Sequence, residues 1–144
     1  DDVLLNKAAI IERCVQRAKD EYEKDTTTFA TDITRQDAAI LNIQRACEAA
    51  LDMGTHLIRR ERLGIPQSAR HVFDLLAQAE QLDSSQAATL KNMVGFRNIA
   101  VHEYQKVQLP IVVSIITRHL EELLAYSATL LKQGNATSSQ AKHT

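Results

Sequence analysis

Residues that interrupt helices are scarce in this sequence. Its 144 residues include only four glycines and two prolines, and aromatic side chains make up 4% of the chain. Folds made of short strands and tight turns need more of these residues, so an all-β protein is disfavoured. Alanine, leucine, isoleucine, glutamine and arginine are abundant instead, and they favour long helices. The sequence therefore predicts an all-α fold in a single domain.

Cysteine is scarce as well, with Cys14 and Cys47 as its only two occurrences. Both fall on the apolar stripes of predicted helices, so we expect two buried thiols. The two cysteines and five histidines are too scattered to match the ligand spacing of a zinc site. We therefore predict no bound metal and no other cofactor.

A basic excess is missing too, because the formal net charge is −1 at neutral pH. Proteins that coat a nucleic-acid backbone usually carry a clear positive excess, so that class is disfavoured, although a small phosphate pocket stays possible. The chain also lacks long apolar runs, since no stretch approaches the roughly 18 residues that a membrane span needs. The first residues, Asp1-Asp2-Val3, show no secretion signal pattern. We therefore expect a cytoplasmic protein without a membrane partner.

Apolar residues recur at helical spacing in five segments of the chain. The longest predicted helix opens with residues 34–37, Thr-Arg-Gln-Asp, which have the form of a capping box. Ser68 and Asp83 are predicted to cap the third and fourth helices. The predicted helices cover residues 3–24, 34–60, 68–79, 84–99 and 110–132. We interpret residues 1–132 as an up-and-down helical bundle and residues 133–144 as a disordered tail.

The side chains best suited to chemistry are concentrated in one short segment, with Arg97, Asn98, His102 and Tyr104. On a straight helix Arg97 and Tyr104 would share a face, whereas His102 would lie about 140° from Arg97. These groups converge only if the helix ends or bends near His102, or if a second copy of the chain contributes. A helix end is expected there, because residues 104–109 carry no helical apolar stripe.

An arginine, a histidine and an amide together suit phosphoryl chemistry. Arg97 presents a fixed fork of donors that matches two phosphate oxygens. Imidazoles as a class titrate near neutral pH, so His102 can serve as general base or acid. Asn98 can hydrogen-bond a phosphate, a ribose hydroxyl or the imidazole. RNA supplies its own nucleophile, the 2′-hydroxyl, so that cleavage does not require a metal. Taken alone, the same residues also fit a histidine and an arginine that satisfy helix ends.

The segment resembles the signature of the HEPN superfamily, in which an arginine and a following polar residue precede a histidine, with four residues between the arginine and the histidine. It is more narrowly similar to the Arg-x4-His-x-Tyr form of the HepT toxin family, read here as Arg97, Asn98, His102 and Tyr104. The resemblance covers about residues 3–131. Other segments in the family's order are residues 37–43, 48–49, 63–68, 73–76 and 93–98.

The resemblance implies a dimeric toxin that is a metal-independent ribonuclease acting on tRNA or mRNA. It implies that two copies place their motifs together in a cleft, with Arg97 and His102 as the catalytic pair and Asn98 as their support. It also implies a partner, a nucleotidyltransferase antitoxin of the MNT type. That antitoxin would attach adenylate groups to Tyr104 and so block the cleft.

Further residues are candidates for the same surface. Five cations are candidates for RNA binding, although solvated helix ends explain each of them more simply: Arg59, Arg60, Arg62, Arg70 and Lys91. Asp37 and Glu48 can border the cleft from the second helix, but a capping position also explains Asp37. Tyr104 also has a plainer interpretation, in which its phenol packs under the loop before Pro110.

Two other functions compete with the ribonuclease. One is a non-catalytic HEPN domain that binds nucleotides or serves as a scaffold for a nucleotidyltransferase. The other is a helical dimer without a catalytic role. The intact set of Arg97, Asn98 and His102 favours the enzyme, because a scaffold has no need of all three together.

Overall fold

The computed structural model describes the backbone of residues 1–143 and the side chains as far as Gly134. Over this part of the chain there are helices and turns but no strand, which confirms the all-α prediction. The helices are α1 (Asp2–Glu23), α2 (Ile33–Glu61), α3 (Ala69–Gln78), α4 (Ser84–His102), α5 (Leu109–Ser114) and α6 (Leu120–His143), with a π-helical segment at Ile115–His119 and 3₁₀ turns at Phe29–Thr31 and Tyr104–Lys106. None of the helices in the described part is long and apolar enough to cross a bilayer.

The helices form a bundle in which α1 and α2 run antiparallel along most of their length. Lys7 lies beside Asp52 at one end of this pair, and the Arg35 side chain reaches the Glu21 carbonyl at the other. α3 and α4 make a second antiparallel pair, which packs on α2, and α6 lies along α1 and α2. α2 is therefore the central helix, because it contacts α1, α3, α4 and α6.

Two of the three predicted helix caps are confirmed. Ser68 caps α3 through its hydroxyl, and Asp83 caps α4 in a reciprocal capping box. The capping box predicted at Thr34 is wrong. α2 begins at Ile33, and the carboxylate of Asp32 accepts a hydrogen bond from the backbone N–H of Arg35 at 3.1 Å. A carboxylate suits this position because it also interacts favourably with the positive end of the helix dipole.

Arg35 has a structural role that sequence patterns did not reveal. It is buried, and its guanidinium closes the end of α1 and the turn that follows. It donates hydrogen bonds to the carbonyl oxygens of Glu21 (2.8 Å), Tyr22 (3.2 Å) and Asp25 (2.9 Å). Its guanidinium also lies over the ring of Phe29, 5.6 Å from the centroid. Arg35 thus satisfies carbonyl groups that the end of a helix leaves without intrahelical partners.

The last two predicted helices have different bounds from those expected. α4 extends three residues past Ile99, to His102. The last helix starts with Pro110 in its first turn, as predicted, but the π-helical segment divides it and α6 continues past Lys132. The disorder predicted for residues 133–144 stays a prediction, because the side chains beyond Gly134 lie outside the described part of the protein.

Both cysteines lie in the core, which confirms the prediction of buried thiols. Cys14 and Cys47 are free and buried. Burial raises the pKa of Cys47 to about 12, because the charged thiolate would lose its hydration there. This thiol is therefore protonated at neutral pH and acts as an apolar core group.

Gly54 lies where α2 is approached by both α3 and α6. A Cβ atom at this position would be 2.8 Å from the Tyr126 hydroxyl oxygen, 2.8 Å from Val72 Cγ1 and 3.1 Å from Leu76 Cδ1. None of these neighbours can move away easily, since Tyr126 is fully buried and donates a hydrogen bond to the Ala50 carbonyl at 2.6 Å. Only glycine therefore allows this close approach of the helices.

We expect Gly54→Ala to lower the free energy of unfolding by about 1–2 kcal/mol, because overpacking outweighs the better helix propensity of alanine. Gly95→Ala is the matched control, since a Cβ at Gly95 meets nothing within 4 Å. It should raise the free energy of unfolding by up to ~1 kcal/mol. Urea denaturation of both variants measures the difference. Equal stabilisation by the two substitutions would contradict the packing described for Gly54.

Candidate functional site

The segment that carries the motif lies across the end of α4. The helix stops at His102, and the N–H of Glu103 makes the last helical hydrogen bond, to the Ile99 carbonyl at 2.8 Å. Tyr104 then opens a 3₁₀ turn that runs to Lys106. The predicted helix end near His102 is confirmed. Tyr104 has consequently left the helical register that it would share with an arginine seven residues earlier.

Arg97 is held at the contact between α4 and α2. Its side chain is half-buried, and it lies close enough to Cys47 for its charge to oppose the rise that burial causes in the pKa of that thiol. The Nε atom of Arg97 is buried and has no hydrogen-bond partner in the described part of the protein. An unpaired buried donor on a charged group is costly, and Arg97 Nε is the only nitrogen among the three unpaired buried side-chain atoms of the described residues. A phosphate oxygen or a second protein chain would satisfy it.

Asn98 and His102 lie four residues apart, so they occupy the same face of α4 one turn from each other. Both are exposed, and neither side chain makes a hydrogen bond with any described residue. Arg97 points about 140° away from His102 around the helix axis. One copy of the chain therefore brings Asn98 and His102 together but leaves Arg97 on another face.

Tyr104 is joined to α2 by a hydrogen bond from its phenol to a carboxylate oxygen of Asp37. This bond raises the pKa of Tyr104 to about 12, with burial and the negative charge of Asp37 adding to the effect. The ring borders a cavity of about 160 Å³ that is lined by Ile33, Gln36, Asp37, Ile40, Tyr104, Val107, Leu109 and Val112. Tyr104 nevertheless keeps 47% of its surface exposed, so it both packs under this loop and faces solvent.

The sequence offers two interpretations of Asp37, a border of the cleft or a helix cap, and its contact with Tyr104 favours the first. Since Asp32 is the cap of α2, the carboxylate of Asp37 is free to meet Tyr104. The signal that would have found it is the antiparallel packing of α2 and α4. That packing also brings the Cys47 thiol to 3.7 Å from the Met93 carbonyl.

Apolar side chains surround the motif on the outside of the bundle. Ile99, Val101 and Ile111 are all exposed, although each lies within a helix that also buries other residues. A groove of about 360 Å³ between α4 and α5 is lined by Thr89, Asn92, Met93, Phe96, Pro110, Ile111, Ser114, Ile115 and His119. Exposed apolar side chains beside a groove of this kind are common at protein–protein interfaces.

The five cations predicted to bind RNA differ in their surroundings. Arg60 forms ion pairs with Asp1 (2.8 Å) and Glu61 (2.9 Å), and Lys91 pairs with Asp74 (2.9 Å). The other three are exposed and make no ion pair with a described residue: Arg59, Arg62 and Arg70. Their role in RNA binding stays a prediction. Among the described residues, no group of three or more His, Cys, Asp or Glu side chains is arranged to hold a metal ion.

We expect Asp37→Ala to lower the pKa of Tyr104 from about 12 towards 10, because the hydrogen bond to Asp37 is the main cause of the rise. Near pH 11 the ionised fraction of Tyr104 should then change from about 10% to about 90%. NMR of ring-labelled tyrosine, assigned with Tyr104→Phe, measures this fraction. Glu103→Gln is the control, because that carboxylate pairs with Lys106 instead. An unaltered titration of Tyr104 in Asp37→Ala would contradict the contact.

Comparison with known proteins gives a consistent result. The family model described as Ribonuclease HepT-like matches residues 11–130. The mRNA nuclease HepT of Shewanella oneidensis is 48% identical over 122 residues, which cover 85% of this chain and 91% of that protein.

Solved structures agree with the sequence comparison. A toxin–antitoxin structure with AMP-PNP contains a chain that superposes with a TM-score of 0.88 at 43% identity, covering 92% of this chain and 99% of that one. The tri-AMPylated HEPN toxin of Shewanella oneidensis, solved in complex with an MNT antitoxin, superposes with a TM-score of 0.87 at 44% identity, covering 92% and 98%. These matches confirm the resemblance found in the sequence. The chain belongs to the ribonuclease HepT-like family of HEPN proteins.

Proposed function

We propose that this chain is the toxin of a toxin–antitoxin pair, a ribonuclease that cleaves mRNA. The single observation that carries the proposal is the intact motif at the end of α4, where Arg97, Asn98 and His102 are present and Arg97 Nε, Asn98 and His102 have no described hydrogen-bond partner. The relative from Shewanella oneidensis is an mRNA nuclease, which supports mRNA as the substrate. A nuclease of mRNA acts in the cytoplasm, so this location belongs to the proposal.

The chemistry requires only groups that this chain and the RNA possess. His102 takes the proton of a ribose 2′-hydroxyl, and the oxygen attacks the adjacent phosphorus. The bond from phosphorus to the 5′-oxygen breaks, and that oxygen receives a proton in return. Arg97 stabilises the negative charge that develops on the phosphoryl oxygens. The products are a 2′,3′-cyclic phosphate and a 5′-hydroxyl, and no metal is needed for this step.

A homodimer completes the site in this proposal. His102 and Arg97 lie on different faces of α4, so one copy does not present both to the same phosphate. A twofold axis near the end of α4, where Ile99, Val101 and Ile111 are exposed on different faces, would bring the motifs of two copies together. It would also bury side chains that are otherwise left in water.

A nucleotidyltransferase antitoxin is the proposed partner, as in the solved relatives that contain an MNT antitoxin. Its proposed target is the phenol of Tyr104, which is 47% exposed. The phenolic oxygen attacks the α-phosphorus of ATP and pyrophosphate leaves, while Asp37 is placed to accept the phenolic proton. The AMPylated state of the Shewanella oneidensis toxin supports this form of control.

We expect His102→Ala to lower the rate of RNA cleavage by roughly 10²–10⁴-fold, the usual contribution of a general base. The variant should fold normally, since His102 is exposed and makes no described hydrogen bond. The assay measures cleavage of an RNA oligonucleotide with EDTA in excess, and His71→Ala, on α3, is the control. Full activity of His102→Ala would contradict the catalytic assignment. Loss of the parent's activity in EDTA would contradict the metal-free mechanism.

Expression together with the cognate nucleotidyltransferase should add adenylate groups to Tyr104 and silence cleavage. Intact mass, followed by peptide mass spectrometry, measures the number and position of the adducts. Tyr104→Phe should carry none. The control is Tyr22→Phe, which removes another partly exposed phenol and should be modified like the parent. A silent complex with unmodified Tyr104 would overturn this part of the proposal and favour inhibition by binding alone.

A further inference from the structure

A second polar surface lies away from the motif, in a groove of about 280 Å³ between α1 and α2. The groove is lined by Lys7, Ile10, Arg13, Cys14, Arg17, Arg45, Glu48 and Ala49. Half of these side chains are cations, and none of them was among the candidates for RNA binding that the sequence suggested. An adjoining depression of about 390 Å³ continues along α1, past Arg13 and Arg17.

Three of the four cations form no ion pair with a described residue, although Glu48 lies in the same groove. Lys7 is paired with Asp52 at 3.1 Å. Arg13, Arg17 and Arg45 are exposed and make no ion pair with any residue in the described part of the chain. Like charges this close repel one another, so the arrangement gives no benefit to the isolated fold.

The geometry shows that the three arginines converge. Arg13 and Arg17 are four residues apart and therefore share one face of α1, while Arg45 faces them from α2. All three lie close enough to Cys14 to affect the pKa of its thiol. Burial raises the pKa of that thiol, and the positive charges of the three arginines oppose the rise. The guanidinium groups thus surround one short stretch of the groove from both walls.

The groove lies near the catalytic motif, since Glu48 in its wall and Arg97 both act on the pKa of Cys47. Glu48 is half-buried in the groove wall, where its carboxylate accepts a hydrogen bond from Gln44 at 3.4 Å. The preceding residue, Cys47, has Arg97 as its principal charged neighbour. The groove and Arg97 therefore lie close to the same turn of α2.

We propose that Arg13, Arg17 and Arg45 bind the sugar–phosphate backbone of the single-stranded RNA that is cleaved at the motif. This inference rests on the proposed ribonuclease function. Guanidinium groups bind phosphates through two parallel hydrogen bonds, and an elongated basic groove follows a backbone without reading its bases. The chain as a whole has a net charge of −1, so this cluster is a local feature and no consequence of a basic composition.

The test removes one arginine from each wall, as Arg13→Gln with Arg45→Gln. Binding is measured in the His102→Ala background, so that the RNA stays intact, with a labelled unstructured oligonucleotide at several salt concentrations. The logarithm of the RNA association constant falls linearly with log[salt], and each lost phosphate contact makes this slope shallower by about 0.7. The double variant should therefore make it shallower by about 1.4. If counterion release is the whole contribution, the affinity near 0.1 M salt falls by roughly 25-fold.

The matched control removes two other exposed cations, as Arg118→Gln with Lys132→Gln, and should leave the slope unchanged. Thermal melting shows that each variant is folded. An unaltered slope in the groove variant would overturn the proposal. So would a variant that binds RNA like the parent but loses affinity for the nucleotidyltransferase, because the groove would then bind an acidic protein surface.

Cleavage of a dinucleotide separates this proposal from the proposed function. A dinucleotide contains only the scissile phosphate. The double variant Arg13→Gln with Arg45→Gln, with His102 unchanged, should therefore cleave it at the parent's rate. Cleavage of a long RNA by the same variant should be slower. A parent that cleaves neither substrate would contradict the ribonuclease function. The salt dependence of RNA affinity tests the groove independently of cleavage.

Discussion

The packing of α4 against α2 is the constraint on which the site depends. α2 is a 29-residue helix in the centre of the bundle, and it contacts both ends of the motif. Its Asp37 holds the Tyr104 phenol, and its Cys47 lies beside Arg97. These two positions are ten residues apart, or about 15 Å along a rigid helix. The spacing between Arg97 and Tyr104 is therefore set by their contacts with α2.

Some buried polar groups of the core have several partners, although Asn42 Oδ1 and Gln81 Oε1 have none among the described residues. The buried guanidinium of Arg35 donates to several oxygen atoms, and the buried Tyr126 hydroxyl has the Ala50 carbonyl. Arg97 Nε has no described partner, and His102 is exposed without one. Apolar side chains are also exposed at this point. Unpaired polar groups and exposed apolar side chains occur together at the motif, which supports the proposal that another molecule completes the site.

The helices and the motif could be predicted from the sequence because both depend on local pattern. Apolar spacing placed the first four helices within a few residues, and the similarity to the HepT toxin family pointed to Arg97 and His102. The choice of Asp32 over Thr34 as a cap could not be predicted, since both are good capping residues and the preceding 3₁₀ turn decides between them. The contact of Tyr104 with α2 and the convergence of arginines between α1 and α2 depend on how separate helices pack. No pattern within one helix contains that information.

The position of Tyr104 explains how a modification there would act without a change in the fold. Tyr104 follows His102 by two residues, so their Cα atoms are at most about 7 Å apart. Each adenylate brings a negative charge, and the Debye length at physiological salt is about 8 Å. The added charge would lie within about a Debye length or two of His102, where it would partly oppose the binding of RNA phosphates proposed for the motif. Since the chain's net charge is only −1, that proposed attraction for RNA would be local, and a negative charge added nearby would weaken it.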